Sequence, residues 1–122
     1  MPYVDGYVLP VLKKDLPAYR RIALKAAKIW IEHGALEVRE CAGEDLKPAF
    51  GIQFPKLIKT KPGETVVFSW IVYKSRAHRD KVNAKVMKDP RMNDMGSVDE
   101  MPFDCKRIVY GGFETIVSVQ QR

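Results

Sequence analysis

Side chains that could transfer a proton are few in this chain, and they lie in different segments. The sequence contains two histidines, His33 and His78, and the imidazole pKa lies near enough to neutrality for general acid–base catalysis. His33 precedes Gly34, where a helix is expected to end and a cation suits the helix dipole, so we expect a structural role for it. His78 lies in the first turn of a second predicted helix, and its ring either enters a cleft against the sheet or faces solvent.

Two aspartates complete the candidate catalytic set. Asp5 lies inside the first predicted strand beside Gly6, where a carboxylate needs either solvent or a partner. Asp104 precedes Cys105 just before the last strand, and it is either a turn or capping residue or part of a pocket. Cys105 is a poor candidate nucleophile, because a carboxylate raises the pKa of a neighbouring thiol and no histidine is close in sequence. The candidate catalytic residues are therefore His78, Asp104 and Asp5.

Four large apolar side chains are the candidate ligand-binding residues. Phe68 and Trp70 lie on the third predicted strand, Met87 lies near the end of the second helix, and Phe103 follows Pro102. Aromatic rings and methionine adapt well to apolar ligands. The same residue types also fill cores and dimer interfaces, so this second interpretation stays open.

Several motifs of known chemistry are absent from the sequence. No histidine, cysteine or carboxylate residues stand at metal-ligand spacing, and there is no glycine-rich phosphate loop or serine-nucleophile elbow. We therefore expect neither a metal nor an organic cofactor. The two cysteines, Cys41 and Cys105, come without a secretion signal and are expected to be reduced, which predicts a cytoplasmic protein. No apolar run approaches the roughly 20 residues that a membrane-spanning helix needs, so no membrane partner is expected.

The formal charge of +6 raises the question of a nucleic-acid partner. Six basic and two acidic residues lie between Lys13 and His33, and seven basic and two acidic residues lie between Lys74 and Arg91. Both segments are predicted helices, whose solvent-facing sides normally carry lysine and arginine. RNA-binding domains of βαββαβ order carry a basic–glycine–aromatic signature on the third strand, which the segment 65–73 lacks. Nucleic acid is therefore not the expected partner.

Strand and helix patterns alternate along residues 1–122, which we interpret as one domain. Their order is βαββαβ, the ferredoxin-like arrangement of an α+β protein, with an antiparallel sheet and both helices on one face. The connection 41–63 is expected to hold a short strand or a turn of helix around Pro55. Gly111-Gly112 indicates a bulge or a close backbone approach in the last strand. The predicted strands are residues 3–11, 35–40, 65–73 and 106–119, and the predicted helices are residues 16–33 and 76–88.

The third predicted strand, TVVFSWIVY at 65–73, carries apolar side chains on both faces. An antiparallel sheet with helices on one face normally shows polar residues to water on the other. The second face therefore needs a cover, which is either a helical insertion from the connection 41–63 or a second copy of the chain. The connection is short for that purpose, so we predict a homodimer packed sheet against sheet by two-fold symmetry.

Five strings in one order resemble those of a known family: YVDGYVLPV, EHGALEV, ETVVFSWIVYKSRAHRD, NAKVMKDPRMNDM and MPFDCKRIVYGGFE. Together they run from Tyr3 to about Glu114 and resemble the YbaA-like family of uncharacterised bacterial proteins. The resemblance implies a dimeric α/β barrel of ferredoxin-like subunits, but it implies no activity. Other dimeric α/β barrels include cofactor-independent monooxygenases, isomerases, haem-handling proteins and amino-acid sensors, and these are related only at the level of fold.

Two classes of function stay open. The leading hypothesis is a homodimer that binds a small apolar or aromatic molecule in a cleft between sheet and helices, as a cofactor-independent monooxygenase or isomerase. The alternative is a non-catalytic sensor or protein-interaction module. The sequence does not decide whether the protein is an enzyme.

Overall fold

Four β-strands form one antiparallel sheet in the order β2–β3–β1–β4. The structure is a computed structural model that describes residues 1–97 and 100–121. The order of its long elements confirms the predicted α+β, ferredoxin-like arrangement. The strands are β1 (Tyr3–Leu12), β2 (Glu37–Ala42), β3 (Glu64–Tyr73) and β4 (Val109–Glu114), and the helices are α1 (Leu16–Glu32), α2 (Phe54–Leu57), α3 (Arg76–Met87) and α4 (Pro90–Asn93).

Local signals in the sequence account for the ends of the two long helices. α1 stops before Gly34, which adopts a left-handed φ of +119° and turns the chain back toward β2. α3 begins after Ser75, whose hydroxyl accepts a hydrogen bond from the backbone N–H of His78 at 3.1 Å. Pro90 cannot donate to a continuing helix, so α3 ends before it and the short helix α4 starts there.

The strand register sorts side chains into a helix-covered face and an open face. Odd-numbered residues of β1 and β3 lie opposite one another, from Tyr3 opposite Tyr73 to Val11 opposite Thr65. These residues belong to the core, because α1 and α3 pack on them. Even-numbered residues of β1 and β3, and the odd-numbered residues of β4 that pair with them, form the open face. Its large apolar members in these strands are Val4, Val8, Phe68, Trp70, Val72, Val109 and Phe113.

The connection between β2 and β3 covers only part of the open face. It contains α2, the turn of helix predicted around Pro55, and the ring of Phe54 packs edge-on against Phe68 with 6.0 Å between the ring centroids. Phe113, on the opposite side of the open face, stays 61% exposed. The connection therefore leaves the β4 side of the open face uncovered, and Phe68 of β3 itself stays 43% exposed.

The last strand differs from its prediction in length and regularity. β4 ends at Glu114 rather than at residue 119, and residues 115–121 lie outside the sheet. Gly111 and Gly112 pair with β1 without an extra residue, so the predicted bulge is wrong. The alternative, a close backbone approach, is correct at Gly112, because a Cβ built there would run into the ring of Tyr3.

A carboxylate at the end of α3 ties α1 to α4. Asp89 Oδ2 accepts hydrogen bonds from Arg91 Nη2 at 2.7 Å and from His33 Nε2 at 2.8 Å. Arg91 also forms an ion pair with Glu32 at 2.6 Å. The hydrogen bonds from Arg91 and His33 hold the pKa of Asp89 well below its usual range. His33 therefore has the structural role predicted for it.

Acid should remove the stability that Asp89 supplies. Its folded-state pKa lies below the ordinary value of 3.8, so its ionised form stabilises the protein above that pH, and the contribution disappears as pH falls through the folded-state pKa. We expect Asp89→Asn to lower the thermal unfolding midpoint at about pH 7 and to lower it less at about pH 2.5. Circular dichroism measures both, with Asp45→Asn, an exposed loop carboxylate, as the control. An equal loss at both pH values would contradict this assignment.

Candidate functional site

A cleft of about 570 Å³ opens between α1 and the edge strand β2 on the helix-covered face. Ala23 and Ala27 lie one turn apart on α1 and present only methyl groups to it, so the helix does not fill the space above β2. Val38 and Val67 form the apolar floor on the sheet. The volume falls in the range typical of small-molecule sites, about 300 to 1,000 Å³.

A smaller cavity of about 220 Å³ lies beneath α1 against β1 and β3. It shares Tyr19 and Glu40 with the larger cleft, and Tyr7, Trp30 and Phe103 also line it. The ring of Phe103 packs edge-on against Tyr19, with 5.4 Å between the centroids. The two cavities therefore meet at a polar pair in otherwise apolar surroundings.

Glu40 is the carboxylate at this meeting point. It pairs with Ser69 in the register, which puts both side chains on the helix-covered face, and Ser69 in turn pairs with Tyr7. Tyr19 reaches down from α1 and its hydroxyl donates a hydrogen bond to Glu40 Oε1 at 2.7 Å. A polar row of Glu40, Ser69 and Tyr7 thus crosses the sheet beneath α1.

The apolar walls change the acidity of these groups. Burial raises the pKa of Glu40, and hydrogen bonds from Tyr19 and Ser69 oppose part of that rise. Burial also raises the pKa of Tyr19, with the charge of Glu40 adding to the effect. Burial and the charge of Asp5 raise the pKa of Tyr7 to about 12. At neutral pH both phenols are therefore neutral hydrogen-bond donors, whereas Glu40, on the edge strand, stays exposed to solvent.

A carboxyl group of this kind suits proton transfer. A raised pKa makes a carboxylate a better proton acceptor, and a cleft that sheds water strengthens its interaction with a bound molecule. The neutral hydroxyl of Tyr7, on the same row and in the smaller cavity, can donate to an oxygen that gains negative charge. The arrangement can bind an apolar molecule and move a proton on it.

Two of the predicted catalytic residues have capping roles at exposed turns. His78 Nδ1 accepts a hydrogen bond from the backbone N–H of Lys74 at 3.0 Å, and its ring packs against Tyr73. Asp104 accepts a hydrogen bond from the backbone N–H of Lys106 at 2.9 Å, so the capping interpretation holds for it. Neither side chain lines the α1–β2 cleft.

Asp5, the third candidate, is paired within the core. It is 4% exposed and accepts a hydrogen bond from Arg79 Nη1 at 2.6 Å. The guanidinium of Arg79 also lies over the ring of Tyr3, 4.9 Å from its centroid. The partner that the sequence required for a carboxylate in a strand is therefore Arg79.

The four predicted ligand-binding residues do not line one pocket. Phe103 lines the smaller cavity, but Phe68 and Trp70 lie on the open face because strand alternation turns them away from the helices. Trp70 Nε1 instead donates a hydrogen bond to Glu37 Oε2 at 2.7 Å on that face. Met87 is 65% exposed to solvent. Grouping these residues in one cleft between sheet and helices is therefore wrong.

Glu40 and Tyr19 are the residues that the sequence interpretation missed. Because side chains alternate along a strand, Glu37 and Arg39 lie on one face of β2 and Val38 lies on the other. Glu40 is in phase with Val38, so an acid on the helix-facing side of β2 could have been found from the alternation. Tyr19 lies on α1, and only the packing of α1 on the sheet reveals its contact with Glu40.

Within 1–97 and 100–121, no group of three or more histidine, cysteine or carboxylate side chains is arranged to hold a metal ion. Over the same ranges, no helix has both the length and the apolar content to cross a membrane.

The sheet and its two long helices define a ferredoxin-like α+β protein. An uncharacterised NIPSNAP domain protein from Burkholderia xenovorans has a similar structure, with a TM-score of 0.60 and 12% identity, over 98% of this chain and 99% of that one. A dimeric ferredoxin-like protein from an uncultured marine organism gives a TM-score of 0.52 and 13% identity. The match covers 98% of this chain and 100% of that chain. Such low identities establish the shared fold alone.

The chain belongs to the family described as "protein of unknown function (DUF1428)", whose model matches residues 2–105. It is 46% identical over 117 residues to the uncharacterised protein YbaA of Escherichia coli K12. The aligned residues cover 96% of this chain and 98% of that protein. YbaA of Shigella flexneri matches to the same extent. The YbaA-like resemblance predicted from five strings of sequence is therefore confirmed.

Proposed function

We propose that the protein binds a small, mostly apolar carbonyl compound in the α1–β2 cleft and isomerises it by proton transfer through Glu40. The supporting observation is the Glu40 carboxyl group, which lines a cleft of about 570 Å³ and accepts a hydrogen bond from Tyr19, and whose pKa is raised by partial desolvation. This choice favours isomerisation over oxygenation, because the polar groups of the cleft are suited to acid–base chemistry.

The proposed reaction needs no external oxidant or reductant. The Glu40 carboxylate takes a proton from the carbon next to the carbonyl group, and the C–H electron pair becomes part of an enolate. The neutral hydroxyl of Tyr7, which lines the smaller cavity that meets the cleft at Glu40, donates a hydrogen bond to the enolate oxygen. In a substrate whose C=C bond begins one carbon beyond the deprotonated carbon, the protonated Glu40 then returns the proton to the far carbon of that bond, which moves the C=C bond into conjugation with the carbonyl group and restores the carboxylate.

Hydrogen–deuterium exchange tests this role of Glu40. Thermal shift first selects enolisable ketones that stabilise the wild-type protein, and proton NMR in D₂O then follows their loss of C–H signal. Glu40→Gln should still bind the selected ketones but slow exchange by about 10²- to 10⁴-fold. Glu44→Gln, an exposed carboxylate in the loop after β2, should behave as wild type. Equal exchange rates in wild type and Glu40→Gln would refute the proposed chemistry.

One contact favours the alternative, a non-catalytic binding module. Tyr19 already donates to Glu40 Oε1, so one oxygen of the carboxylate is occupied by the protein itself. A permanently held carboxylate would recognise a hydrogen-bond donor on a ligand without removing a proton. Wild-type protein that binds ketones without accelerating their exchange would support this alternative.

The proposal includes a homodimer formed through the open face. Val109 is 53% exposed and Phe113 61% exposed there, and Phe68 beside them is 43% exposed. Contiguous apolar surface of this kind is typical of protein–protein interfaces. The structurally similar protein described as dimeric and ferredoxin-like gives further support.

A charge in the open face should dissociate this dimer. Phe113→Lys adds a cation at the proposed interface, and its exposed position means that the protomer should still fold. Tyr110 is 74% exposed on the other face of the same strand, so Tyr110→Lys is the matched control. Light scattering should give a dimer for wild type and Tyr110→Lys and a monomer for Phe113→Lys. A monomeric wild-type protein, or a dimeric Phe113→Lys variant, would rule out this interface.

A further inference from the structure

We infer that the molecule bound in the α1–β2 cleft is a carboxylate, seated with its apolar body between helix and sheet and its charge at Arg20. This inference rests on the proposed function and specifies its ligand. Arg20 is the only cation that lines the cleft within the described residues. Glu40 is the only anion in the same lining, and it already accepts a hydrogen bond from Tyr19.

Arg20 differs from the arginines that have structural partners. Four arginines form ion pairs with carboxylates: Arg39, Arg79, Arg91 and Arg107. Across residues 1–97 and 100–121, no carboxylate lies within ion-pair distance of Arg20. Its guanidinium therefore keeps its hydrogen-bond donors available at the edge of an apolar cleft, where a planar carboxylate can accept two of them.

The charge of the whole protein also favours a negatively charged ligand. The formal net charge of +6 adds a weak, long-range attraction for anions to that of Arg20. The start of α1 adds nothing to this attraction, because Asp15 at the N-cap offsets the positive end of the helix dipole.

The charge balance favours a carboxylate over a phosphate ester. A single guanidinium neutralises one negative charge, whereas a phosphate monoester carries nearly two at neutral pH. The second charge of such an ester would lie in the same cleft as the Glu40 carboxylate, and the described residues of the lining offer no second cation to neutralise it. The ligand class is therefore a monocarboxylate with an aromatic or aliphatic body.

A matched pair of probes tests the inferred charge. Calorimetric titration compares 4-phenylbutyrate with 4-phenylbutanamide, which has nearly the same shape and no charge, at low ionic strength. Wild-type protein should bind the acid about five- to tenfold more tightly than the amide. Arg20→Gln should bind both with similar affinity. Arg21→Gln changes the neighbouring exposed arginine, which does not line the cleft, and should keep the wild-type preference.

The outcomes separate this inference from the proposed function. Equal affinity of the two probes for wild type, or a preference that survives in Arg20→Gln, would overturn the inference and leave the binding cleft standing. Failure of both probes to bind wild type would contradict the cleft as a binding site and the inference with it. If Arg20→Gln does not fold, the same titrations of the wild-type protein at two salt concentrations test the inference. The preference for the acid over the amide should shrink between about 20 mM and about 500 mM NaCl. An unchanged preference would overturn the inference.

Discussion

Replacing Arg79 by methionine is expected to lower the free energy of unfolding by about 3 kcal/mol. Asp5 lies in the middle of the sheet, 4% exposed, and Arg79 is its ion-pair partner at 2.6 Å. Methionine keeps much of the aliphatic volume but removes the charge and the contact over the ring of Tyr3. The loss is large because it leaves a carboxylate in the core without a cation, and desolvation of an unpaired charge is costly.

A double variant distinguishes charge from packing in this prediction. Asp5→Asn combined with Arg79→Met removes both charges, so it should be more stable than Arg79→Met alone. Lys81→Met removes an exposed cation from the same helix and should change stability by less than about 0.5 kcal/mol. Urea unfolding at one fixed protein concentration measures all three, since a dimer's stability depends on concentration. A double variant no more stable than Arg79→Met would mean that packing, not charge, carries the effect.

Adding one methyl group at Gly112 is expected to destabilise the protein by about 2 kcal/mol. A Cβ at this position would lie 2.8 Å from Cε2 of Tyr3, and the Tyr3 hydroxyl would lie closer still. Tyr3 is 8% exposed and packed beneath Arg79, so its ring has little room to move aside. The strand backbone is extended here, so the cost comes from this steric contact.

The neighbouring glycine supplies the control for this steric effect. A Cβ at Gly111 meets only Phe113, at an ordinary contact distance of 3.8 Å, so Gly111→Ala should remain within about 0.5 kcal/mol of wild type. Both variants keep the pairing of β4 with β1, and urea unfolding compares their stability. Equal stability of Gly111→Ala and Gly112→Ala would show that the Tyr3 ring yields to the added methyl.

The order of elements follows from local sequence, because each strong signal coincides with an observed boundary. Gly34 ends α1 as predicted, α3 begins at residue 76 as predicted with Ser75 as its cap, and β3 differs from its predicted range by one residue. The apolar character of β3 on both faces also identified an open face that α1 and α3 leave uncovered. These features depend on hydrogen bonds and on the alternation of side chains within a few residues, so they can be predicted from a single sequence.

The candidate site depends on how distant segments meet, and local patterns do not determine this. Phe68 and Trp70 were grouped with Phe103 by residue type, although strand alternation separates them onto opposite faces. Met87 lies on α3, where Val82 and Val86 form a competing apolar row, and only that row is buried against the sheet. Helical spacing allows either row, and packing on the sheet selects one.

The contact between Tyr19 and Glu40 joins residues 21 positions apart through the packing of α1 on the sheet. The alternation of side chains along β2 predicts which face of the strand carries Glu40, but it does not predict the cleft between that face and α1. That space exists because Ala23 and Ala27 are small and face β2, which depends on the rotation of α1 about its axis. Side-chain types alone do not specify that rotation.

Binding in the α1–β2 cleft can be seen in crystals of wild-type protein soaked with a set of small aromatic and aliphatic ketones and carboxylates. We expect bound molecules in this cleft, with apolar atoms against Ala23, Ala27 and Val38 and a polar atom at Glu40 or Arg20. Bound molecules found only on the open face, or a cleft that stays free of ligand while other surfaces bind, would contradict this expectation.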